Sequence, residues 1–201
     1  MEHCNNSLQC FFSGKVFNEV MDGGKEMKLV IRPEKQEDFQ DIEQLILDAF
    51  EKEEVSDHQE HILVQKIRQT DAYVNALSLV ALLNDELVGH LVLSKIFIQH
   101  AHHQTKAFAL APVAVKRGYE NRGIGTTLIK KALIDAESYD EQVVIVLGHA
   151  DYYPRFGFEA ASKWGVKAPF EVPDDVFMLY PLHQQQLTDL EGLVVYSEAF
   201  Q

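Results

Sequence analysis

The sequence predicts an α/β fold, in which one domain is built around a central mixed β-sheet flanked by helices. Three patterns support this prediction. Apolar residues recur at helical spacing over residues 34–52. Residues 142–148 form a near-continuous β-branched run, which is typical of a strand covered on both faces. Residues 107–148 follow the order strand, glycine turn, helix, strand, which indicates a crossover connection.

Length and composition exclude several other classes of protein. With 201 residues, of which 46% are apolar and 24% charged, the chain can bury a sizeable core. A net charge of −13 argues against nucleic acid and anionic membranes as partners, because both need basic surfaces. No apolar run approaches the length of a membrane span, and two cysteines, Cys4 and Cys10, make no disulfide framework. We therefore expect a cytoplasmic protein.

Residues 1–26 differ from the rest of the chain. They show no sustained period and end near a turn signal at Asp22-Gly23-Gly24, directly before a clean strand pattern that follows Met27. Our interpretation is a disordered extension or a mis-annotated start, with the domain spanning 27–201. The alternative is an extra strand or helix packed on the domain, since several residues between Phe11 and Val20 are apolar.

The domain is predicted to begin with a strand at 28–32, followed by a helix over 34–52. Acidic residues crowd the early turns of this helix, as the positive end of a helix dipole favours. A second, shorter helical period covers 58–69. The elements predicted after them are strands 77–83 and 87–98 joined at Asn84-Asp85, strand 107–115, helix 123–136, strand 142–148, one further helix, and strands 177–182 and 193–196.

A glycine turn at residues 122–125, Arg-Gly-Ile-Gly, joins a predicted strand to a predicted helix. The amino end of a helix carries free N–H groups and a partial positive charge, and the glycines allow an anion to approach closely. Thr126 and Thr127 can add hydroxyl donors, and Lys116 and Arg117 add positive charge. The turn therefore predicts an anion site, with a glycine turn chosen only for close helix–strand packing as the alternative.

Two runs of residues carry a family resemblance. Residues 110–115 (Leu-Ala-Pro-Val-Ala-Val) and 119–129, which contain the glycine turn, resemble the acetyl-CoA motif of the GNAT acetyltransferases. Residues 152–158, Tyr-Tyr-Pro-Arg-Phe-Gly-Phe, resemble the Tyr-x-x-x-Gly-Phe signature of that family. The resemblance implies a GNAT fold with splayed strands at the cofactor site. It also implies acetyl transfer from acetyl-CoA to a primary amine, by direct attack in a ternary complex and without a metal.

The resemblance assigns roles to particular residues. It implies that Tyr153 is the general acid for the departing thiolate. Pro112 cannot donate a hydrogen bond to a neighbouring strand and therefore indicates a bulge that splays its strand from 142–148. Glu120 stands where the family has Gln or Arg; its carboxylate would repel phosphate, so it receives no cofactor role. The implied cofactor-binding residues are Val113, Ala114, Val115, Arg122, Gly123, Ile124, Gly125, Thr126 and Thr127.

The sequence leaves open which amine is acetylated and which group takes its proton. Residues 34–60 hold eleven acidic residues against two lysines, so a cationic amine is one hypothesis and a solvated acidic face the alternative. An apolar acceptor pocket around Trp164, Phe170 and Phe177 is another. Candidate bases are His149, Glu53 and Glu54, and the histidines at 100, 102 and 103 are interpreted as a solvated loop.

Other classes of function remain as alternatives. The main one is a non-catalytic acyl-CoA-binding sensor that keeps the cofactor site without turnover. Another is a plain nucleotide-binding α/β domain. A homodimer would be compatible with each of these functions.

Overall fold

The computed structural model describes residues 16–22, 25–53, 56–183 and 190–201. Three α-helices lie in these ranges: α1 (Phe39–Phe50), α2 (Glu60–Ile67) and α3 (Ile124–Ala136). The strands are β1 (Val16–Asp22), β2 (Lys25–Pro33), β3 (Ser78–Leu83), β4 (Glu86–Gln99), β5 (Gln104–Val115), β6 (Val143–Leu147), β7 (Glu159–Ala160), β8 (Val166–Lys167), β9 (Phe177–Pro181) and β10 (Gly192–Val195).

The strands form one mixed sheet in the order β1-β2-β3-β4-β5-β6-β9-β7, with β10 paired to the far end of β4 and to β8. Neighbours from β1 to β5 are antiparallel, whereas β5 and β6 run parallel because α3 crosses over between them. This confirms the predicted mixed sheet flanked by helices.

The segment after β6 corrects the prediction of a further helix. Its described residues contain two single turns of 3-10 helix, Tyr153–Phe156 and Ala161–Trp164. Gly157 and Gly165 follow them in the left-handed region, at φ 97° and 69°. A left-handed residue ends a helical turn, which is why neither turn grows into an α-helix.

Part of the predicted amino-terminal extension lies among the described residues. Val16–Asp22 is a strand that pairs antiparallel with β2, from Val16 opposite Ile31 to Asp22 opposite Lys25. These seven residues therefore agree with the alternative interpretation, an extra strand packed on the domain. Residues 1–15, 23 and 24 lie outside the described residues, and the proposed start of the domain stays a prediction.

The two faces of the sheet are covered by different helices. α3 packs on one face, where Leu128 and Ala132 join a core with Leu91 and Leu93 of β4. α1 and α2 cover the other face, where they pack against the buried side chains of Val80, Val92 and Ala114. A third cluster, around β6, β9 and β10, fills the remaining end of the sheet.

The pairing between β5 and β6 stops partway along both strands. Only Ala107–Ala109 pair with Val143–Ile145, although β6 continues to pair with β9 as far as Leu147. Beyond Leu110 the register between β4 and β5 shifts by one residue, because Ala111 and Pro112 together lie opposite the single residue Val92. The predicted bulge at Pro112 is therefore confirmed. We call the gap between residues 110–115 and the end of β6 the fork.

A buried ionic cluster joins the end of β2 to α2 and β4. The side chain of Glu34 is fully buried and accepts hydrogen bonds from Arg68 Nε at 2.9 Å and Nη2 at 2.7 Å. It also accepts from the Tyr73 hydroxyl at 2.8 Å and lies 3.2 Å from His90 Nε2. We call Glu34, Arg68, Tyr73 and His90 the Glu34 cluster. Three separate elements of the fold meet at this one carboxylate.

The Glu34 cluster predicts how stability depends on pH. Burial alone would raise the pKa of Glu34, but hydrogen bonds from His90 and Arg68, together with the positive charge of Arg68, lower it from 4.5 to about 2. The ionised carboxylate therefore stabilises the fold fully above pH 4.5, and this stabilisation is lost as the pH falls towards about 2. We expect Glu34→Gln to lower the free energy of unfolding at neutral pH by roughly 3 to 5 kcal/mol, because Arg68 loses its buried partner.

Urea unfolding at a series of pH values measures this effect. The difference in free energy of unfolding between wild type and Glu34→Gln is expected to become smaller below pH 4.5. Glu37→Gln is the matched control, because Glu37 is 70% exposed and pairs with exposed Lys35. A difference in free energy of unfolding that stays constant down to pH 2, or an equal difference for Glu37→Gln, would contradict the role given to Glu34.

Candidate active site

The mouth of the fork is formed by the amino end of α3. Gly123 caps this helix at φ 81°, a conformation that favours glycine, and Thr127 N donates to Gly123 O at 2.9 Å as the helix begins. The preceding N–H groups, from Ile124 to Thr126, have no carbonyl four residues earlier within the helix and point to its open end. This end of α3 can therefore hold an anionic group such as a pyrophosphate.

The polar side chains of the glycine turn are used differently from the sequence expectation. Thr127 Oγ1 donates its single proton to Gly123 O at 2.9 Å, so in this structure the hydroxyl supports the helix rather than a ligand. Glu120 turns back on its own loop, where its carboxylate accepts from Gly118 N at 2.6 Å. An anion at this end of α3 is therefore held chiefly by the backbone.

The cations predicted near the turn are partly neutralised. Lys116 pairs with Glu86 at 2.6 Å, and Arg117 pairs with Glu51 at 2.8 Å. The guanidinium of Arg122 lies over the ring of Tyr119, 5.2 Å from its centroid. The positive charge expected from the sequence is present, but acidic groups from other elements offset part of it.

Side chains of β5, the strand that lines the fork, point alternately to the two faces of the sheet. Val113 and Val115 pack against the core on the α3 side, and Ala114 is buried on the α1 and α2 side. Beyond Ala109 the edge of β5 that faces β6 has no strand partner among the described residues. Its backbone N–H and C=O groups can therefore bind an extended arm, as strand edges do.

Two adjacent tyrosines lie at different depths of the fork. Tyr153 is 8% exposed, and its ring meets those of Tyr152 and Phe158 edge to face, at centroid distances of 5.2 and 5.6 Å. Burial raises the pKa of Tyr153 above its ordinary value of 10, with a smaller contribution from Tyr152. Tyr153 therefore keeps its proton at neutral pH.

Tyr152 reaches across the mouth of the fork. Its hydroxyl oxygen lies 3.1 Å from the position that a Cβ on Gly125 would occupy, at the amino end of α3. The guanidinium of Arg155 stacks 4.0 Å from the ring centroid of Tyr152 and donates through Nε to its carbonyl at 2.9 Å. The family resemblance gave no role to Tyr152. The glycine at 125 was the signal that something approaches closely there.

The predicted base candidates do not converge on a partner in the structure. His149 and Glu53 are exposed side chains, and Glu54 lies outside the described residues. Within the described ranges no group of three metal-ligating side chains is present, and His100 and His103 stack ring on ring at 4.0 Å.

An open pocket of about 190 Å³ lies between the end of α1 and the start of α2. Arg117, two residues beyond β5, pairs with Glu51 on the pocket wall and so links the pocket to the segment that follows β5. Of the acidic residues expected here, Glu34 and Asp38 are instead buried in ion pairs with arginines. The residues that line the pocket are Ile46, Leu47, Phe50, Glu51, His58, Glu60 and His61.

The aromatic alternative for the acceptor pocket is divided between core and surface. Phe177 is buried and belongs to the core around β9, with Trp164 packed against that core. Phe170 is 46% exposed and stacks on Tyr196 at 6.2 Å. The three aromatic residues thus differ in exposure.

A comparison with known families identifies the domain. The profile of the acetyltransferase (GNAT) domain family matches residues 30–161, which contain the fork, the glycine turn and both tyrosines. The chain belongs to the GNAT acetyltransferase family. It is accordingly an acyltransferase, and the resemblance seen in the sequence is confirmed.

Similar proteins agree with the GNAT assignment. The uncharacterised N-acetyltransferase YjhQ of Escherichia coli K12 is 33% identical over 130 residues, which cover 63% of this chain and 72% of YjhQ. The uncharacterised N-acetyltransferase YhbS of the same strain is 28% identical over 173 residues, covering 86% of this chain and 98% of YhbS.

Solved structures show the same GNAT fold. The crystal structure of Escherichia coli YhbS in complex with CoA superposes with a TM-score of 0.77 at 25% identity, covering 90% of this chain and 96% of that one. A GNAT family acetyltransferase from Brucella melitensis in complex with acetyl-CoA gives a TM-score of 0.70 at 28% identity, covering 86% and 98%. In the described part of this chain no helix is long and apolar enough to cross a membrane.

Close contact between Gly148 and Tyr153 predicts a costly substitution. A Cβ on Gly148 would lie 2.3 Å from Tyr153 Cε2, so Gly148→Ala must displace the ring. We expect the free energy of unfolding to fall by about 1 to 3 kcal/mol, the usual cost of overpacking. Urea unfolding measures this loss.

Gly125→Ala is the matched control for Gly148→Ala. Its Cβ would lie 3.1 Å from the Tyr152 hydroxyl, which is the far end of a side chain, and alanine favours a helix. A smaller loss of stability is therefore expected. If Gly148→Ala unfolds at the same urea concentration as wild type, the close packing of Tyr153 on Gly148 is refuted.

Proposed function

We propose that this GNAT acyltransferase transfers an acetyl group from acetyl-CoA to a primary amine by direct attack in a ternary complex. The observation that carries the proposal is the fork. It opens where β5 and β6 stop pairing at Ala109 and Ile145, and the amino end of α3 lies at its mouth. An extended thioester arm with an anionic end fits a strand edge that leads to a helix amino terminus.

The cofactor would be held along this path. The backbone at Val113, Ala114 and Val115 would bind the pantetheine arm at the free edge of β5. The residues from Arg122 to Thr126 would hold the pyrophosphate, chiefly through their N–H groups, whereas the N–H of Thr127 is already bonded within the helix. The CoA and acetyl-CoA complexes of the Escherichia coli and Brucella melitensis relatives support this cosubstrate.

The chemical step needs a proton for the departing sulfur. The amine nitrogen forms a bond to the carbonyl carbon, and the carbon–sulfur bond breaks with its electrons on sulfur. We propose that Tyr153 donates its proton to this thiolate. Because burial raises the pKa of Tyr153, the phenol is fully protonated before the reaction and donates only as charge develops on sulfur.

Substitution of Tyr153 tests this role. We expect Tyr153→Phe to lower kcat by about 100-fold or more, because general acid catalysis commonly contributes that much. The affinity for CoA is expected to change little, since the ring is kept. Release of free thiol from acetyl-CoA, followed over a panel of primary amines, measures turnover, and calorimetry measures CoA binding.

The matched control is Tyr180→Phe, because Tyr180 packs on the same Phe158 ring at 5.4 Å and has no role in the proposed reaction. Its turnover should match that of wild type. Equal kcat for wild type and Tyr153→Phe would remove Tyr153 from the mechanism. Protection from melting by ATP or NAD but not by CoA would favour a nucleotide-binding domain.

A second candidate function is a non-catalytic acyl-CoA sensor. The burial of Tyr153 is the observation that favours it, because a phenol with a raised pKa is a weak acid. A sensor would bind CoA without consuming acetyl-CoA in the presence of any amine in the panel. Turnover with one amine decides against it.

For the acceptor, we propose a cationic amine that carries an apolar body. The pocket between α1 and α2 combines apolar side chains, Ile46 and Phe50, with the carboxylate of Glu60. The other carboxylate of the lining, Glu51, is paired with Arg117. Such a lining attracts an ammonium group and contacts the rest of the molecule through its apolar side chains. Cytoplasmic location and a homodimer stay predictions.

The carboxylate of Glu60 provides the test of this acceptor class. We expect Glu60→Gln to raise the KM of cationic amines about threefold to tenfold while kcat stays the same, as loss of one partly exposed charge contact implies. Glu137→Gln, at the other end of α3 and exposed, is the control and should leave KM unchanged. A KM unaffected by Glu60→Gln would exclude the pocket as the acceptor site.

A further inference from the structure

Arg155 is an exposed cation on the β6 side of the fork that the proposed reaction has not used. It belongs to the single helical turn Tyr153–Phe156, which follows β6. Its Nε donates to the carbonyl of Tyr152 at 2.9 Å. Among the residues that the structure describes, its guanidinium forms no ion pair with a carboxylate. The N–H groups at Nη1 and Nη2 are therefore available to a ligand.

The helical turn fixes how the side chain of Arg155 lies. Tyr152 and Arg155 are three residues apart along a 3-10 turn, and side chains with this spacing lie one above the other. The guanidinium accordingly stacks 4.0 Å from the ring centroid of Tyr152 and lies 5.7 Å from that of Phe156. Stacking on aromatic rings holds a guanidinium in place and leaves its edge free to bind phosphate.

Tyr152 brings this stack to the amino end of α3. Its hydroxyl oxygen lies 3.1 Å from the position that a Cβ on Gly125 would occupy, and Cγ2 of Val115 lies 3.5 Å from the same position. Gly125 and Val115 are both proposed to bind the cofactor. Within the described ranges the Tyr152 hydroxyl makes no hydrogen bond, so its proton is available to an acceptor at this point.

The glycine turn itself offers an anion few side-chain donors. Lys116 and Arg117 are paired with carboxylates of other elements. Glu120 stands where the GNAT family has Gln or Arg, and its carboxylate turns back on its own loop. A carboxylate cannot donate to phosphate. The side-chain donor that the family places at this position is therefore missing here, whereas Arg155 has donors to spare on the other side of the fork.

We propose that Arg155 binds the pyrophosphate of CoA through Nη1 and Nη2, with the Tyr152 hydroxyl as a second donor to the same group. This inference rests on the proposed binding of acetyl-CoA and adds two side chains to it. The pyrophosphate is then held from two sides, by the N–H groups of α3 and by the stacked pair of Arg155 and Tyr152. A guanidinium suits this role, because its parallel N–H donors match two oxygens of a phosphate.

CoA carries phosphate in two places, and the position of Tyr152 decides between them. The pyrophosphate joins the pantetheine arm to the adenosine, whereas the 3′-phosphate is attached to the ribose. The Tyr152 hydroxyl lies beside Gly125, in the turn proposed to hold the pyrophosphate. Arg155 is therefore assigned to the pyrophosphate. The analogue 3′-dephospho-CoA keeps the pyrophosphate and lacks the other group, so it separates the two assignments.

Calorimetry of the full chain with CoA and with 3′-dephospho-CoA tests the role of Arg155. We expect Arg155→Ala to raise the Kd of CoA about tenfold or more, as loss of hydrogen bonds between charged groups implies. The Kd of 3′-dephospho-CoA is expected to rise by the same factor. A loss of affinity for CoA alone would place Arg155 at the 3′-phosphate and overturn the proposal, and so would unchanged affinity for both ligands.

Lys163→Ala is the matched control for Arg155→Ala. Lys163 is 62% exposed, lies in the next helical turn and is 3.8 Å from Glu159. Its substitution removes the same single positive charge, but both ligands should bind as they do to wild type. An equal loss of affinity in Lys163→Ala and Arg155→Ala would reveal an effect of net charge alone and contradict a direct contact.

Arg155→Lys keeps the test decisive if urea unfolding shows that Arg155→Ala destabilises the fold. Lysine keeps the positive charge but lacks the paired donors of the guanidinium. We expect it to weaken the binding of both ligands by a smaller factor than alanine. An Arg155→Lys variant that binds both ligands as tightly as wild type would contradict the proposed paired contact.

Tyr152→Phe tests the second donor. It keeps the ring on which Arg155 stacks and removes only the hydroxyl. We expect the Kd of both ligands to rise about threefold to tenfold, the scale of one hydrogen bond, while the free energy of unfolding stays unchanged. Unchanged affinity for both ligands would overturn the role given to Tyr152.

Failure of the proposed function gives a different result from failure of this inference. A wild-type chain that binds neither CoA nor 3′-dephospho-CoA would remove the cofactor itself from the proposal. Failure of this inference alone leaves wild type and Arg155→Ala with the same affinity for each ligand.

Discussion

The early end of the pairing between β5 and β6 is the constraint on which the rest of the site depends. Both strands keep their other partners, β4 and β9, so the sheet stays intact while a gap opens within it. The bulge at Pro112 turns β5 away, and the crossover through α3 returns the chain to the same gap. A strand edge, a helix amino terminus and two tyrosines therefore meet at one cleft without any irregular scaffold.

The charges of the site follow from this arrangement. The cleft needs positive charge for an anionic cofactor, yet the chain as a whole is acidic. Backbone N–H groups at α3 supply fixed partial charge that acidic neighbours cannot neutralise as they neutralise Lys116 and Arg117. On the opposite face, Glu34 is ion-paired with Arg68, and the buried Nδ1 of His90 has no hydrogen-bond partner among the described residues.

Much of the fold could be predicted from the sequence, because hydrophobic periodicity reports which side of each element is buried. The helix at α3, the hairpin of β3 and β4, and the bulge at Pro112 all follow from local patterns. The Glu34 cluster could not be predicted, since its members are separated by as many as 56 positions in the chain and meet only through tertiary packing. The prediction of a further helix after β6 was wrong, because Gly157 and Gly165 adopt left-handed conformations that end the two helical turns there.

The ion pair between Arg117 and Glu51 has a consequence for how the protein responds to its surroundings. It links the segment after β5 to the end of α1, and its two side chains are 43% and 64% exposed. Dissolved ions screen an exposed pair much more than the buried bridge between Glu34 and Arg68. Raising the ionic strength should therefore weaken the link between the end of α1 and the segment after β5 before it affects the interior of the sheet.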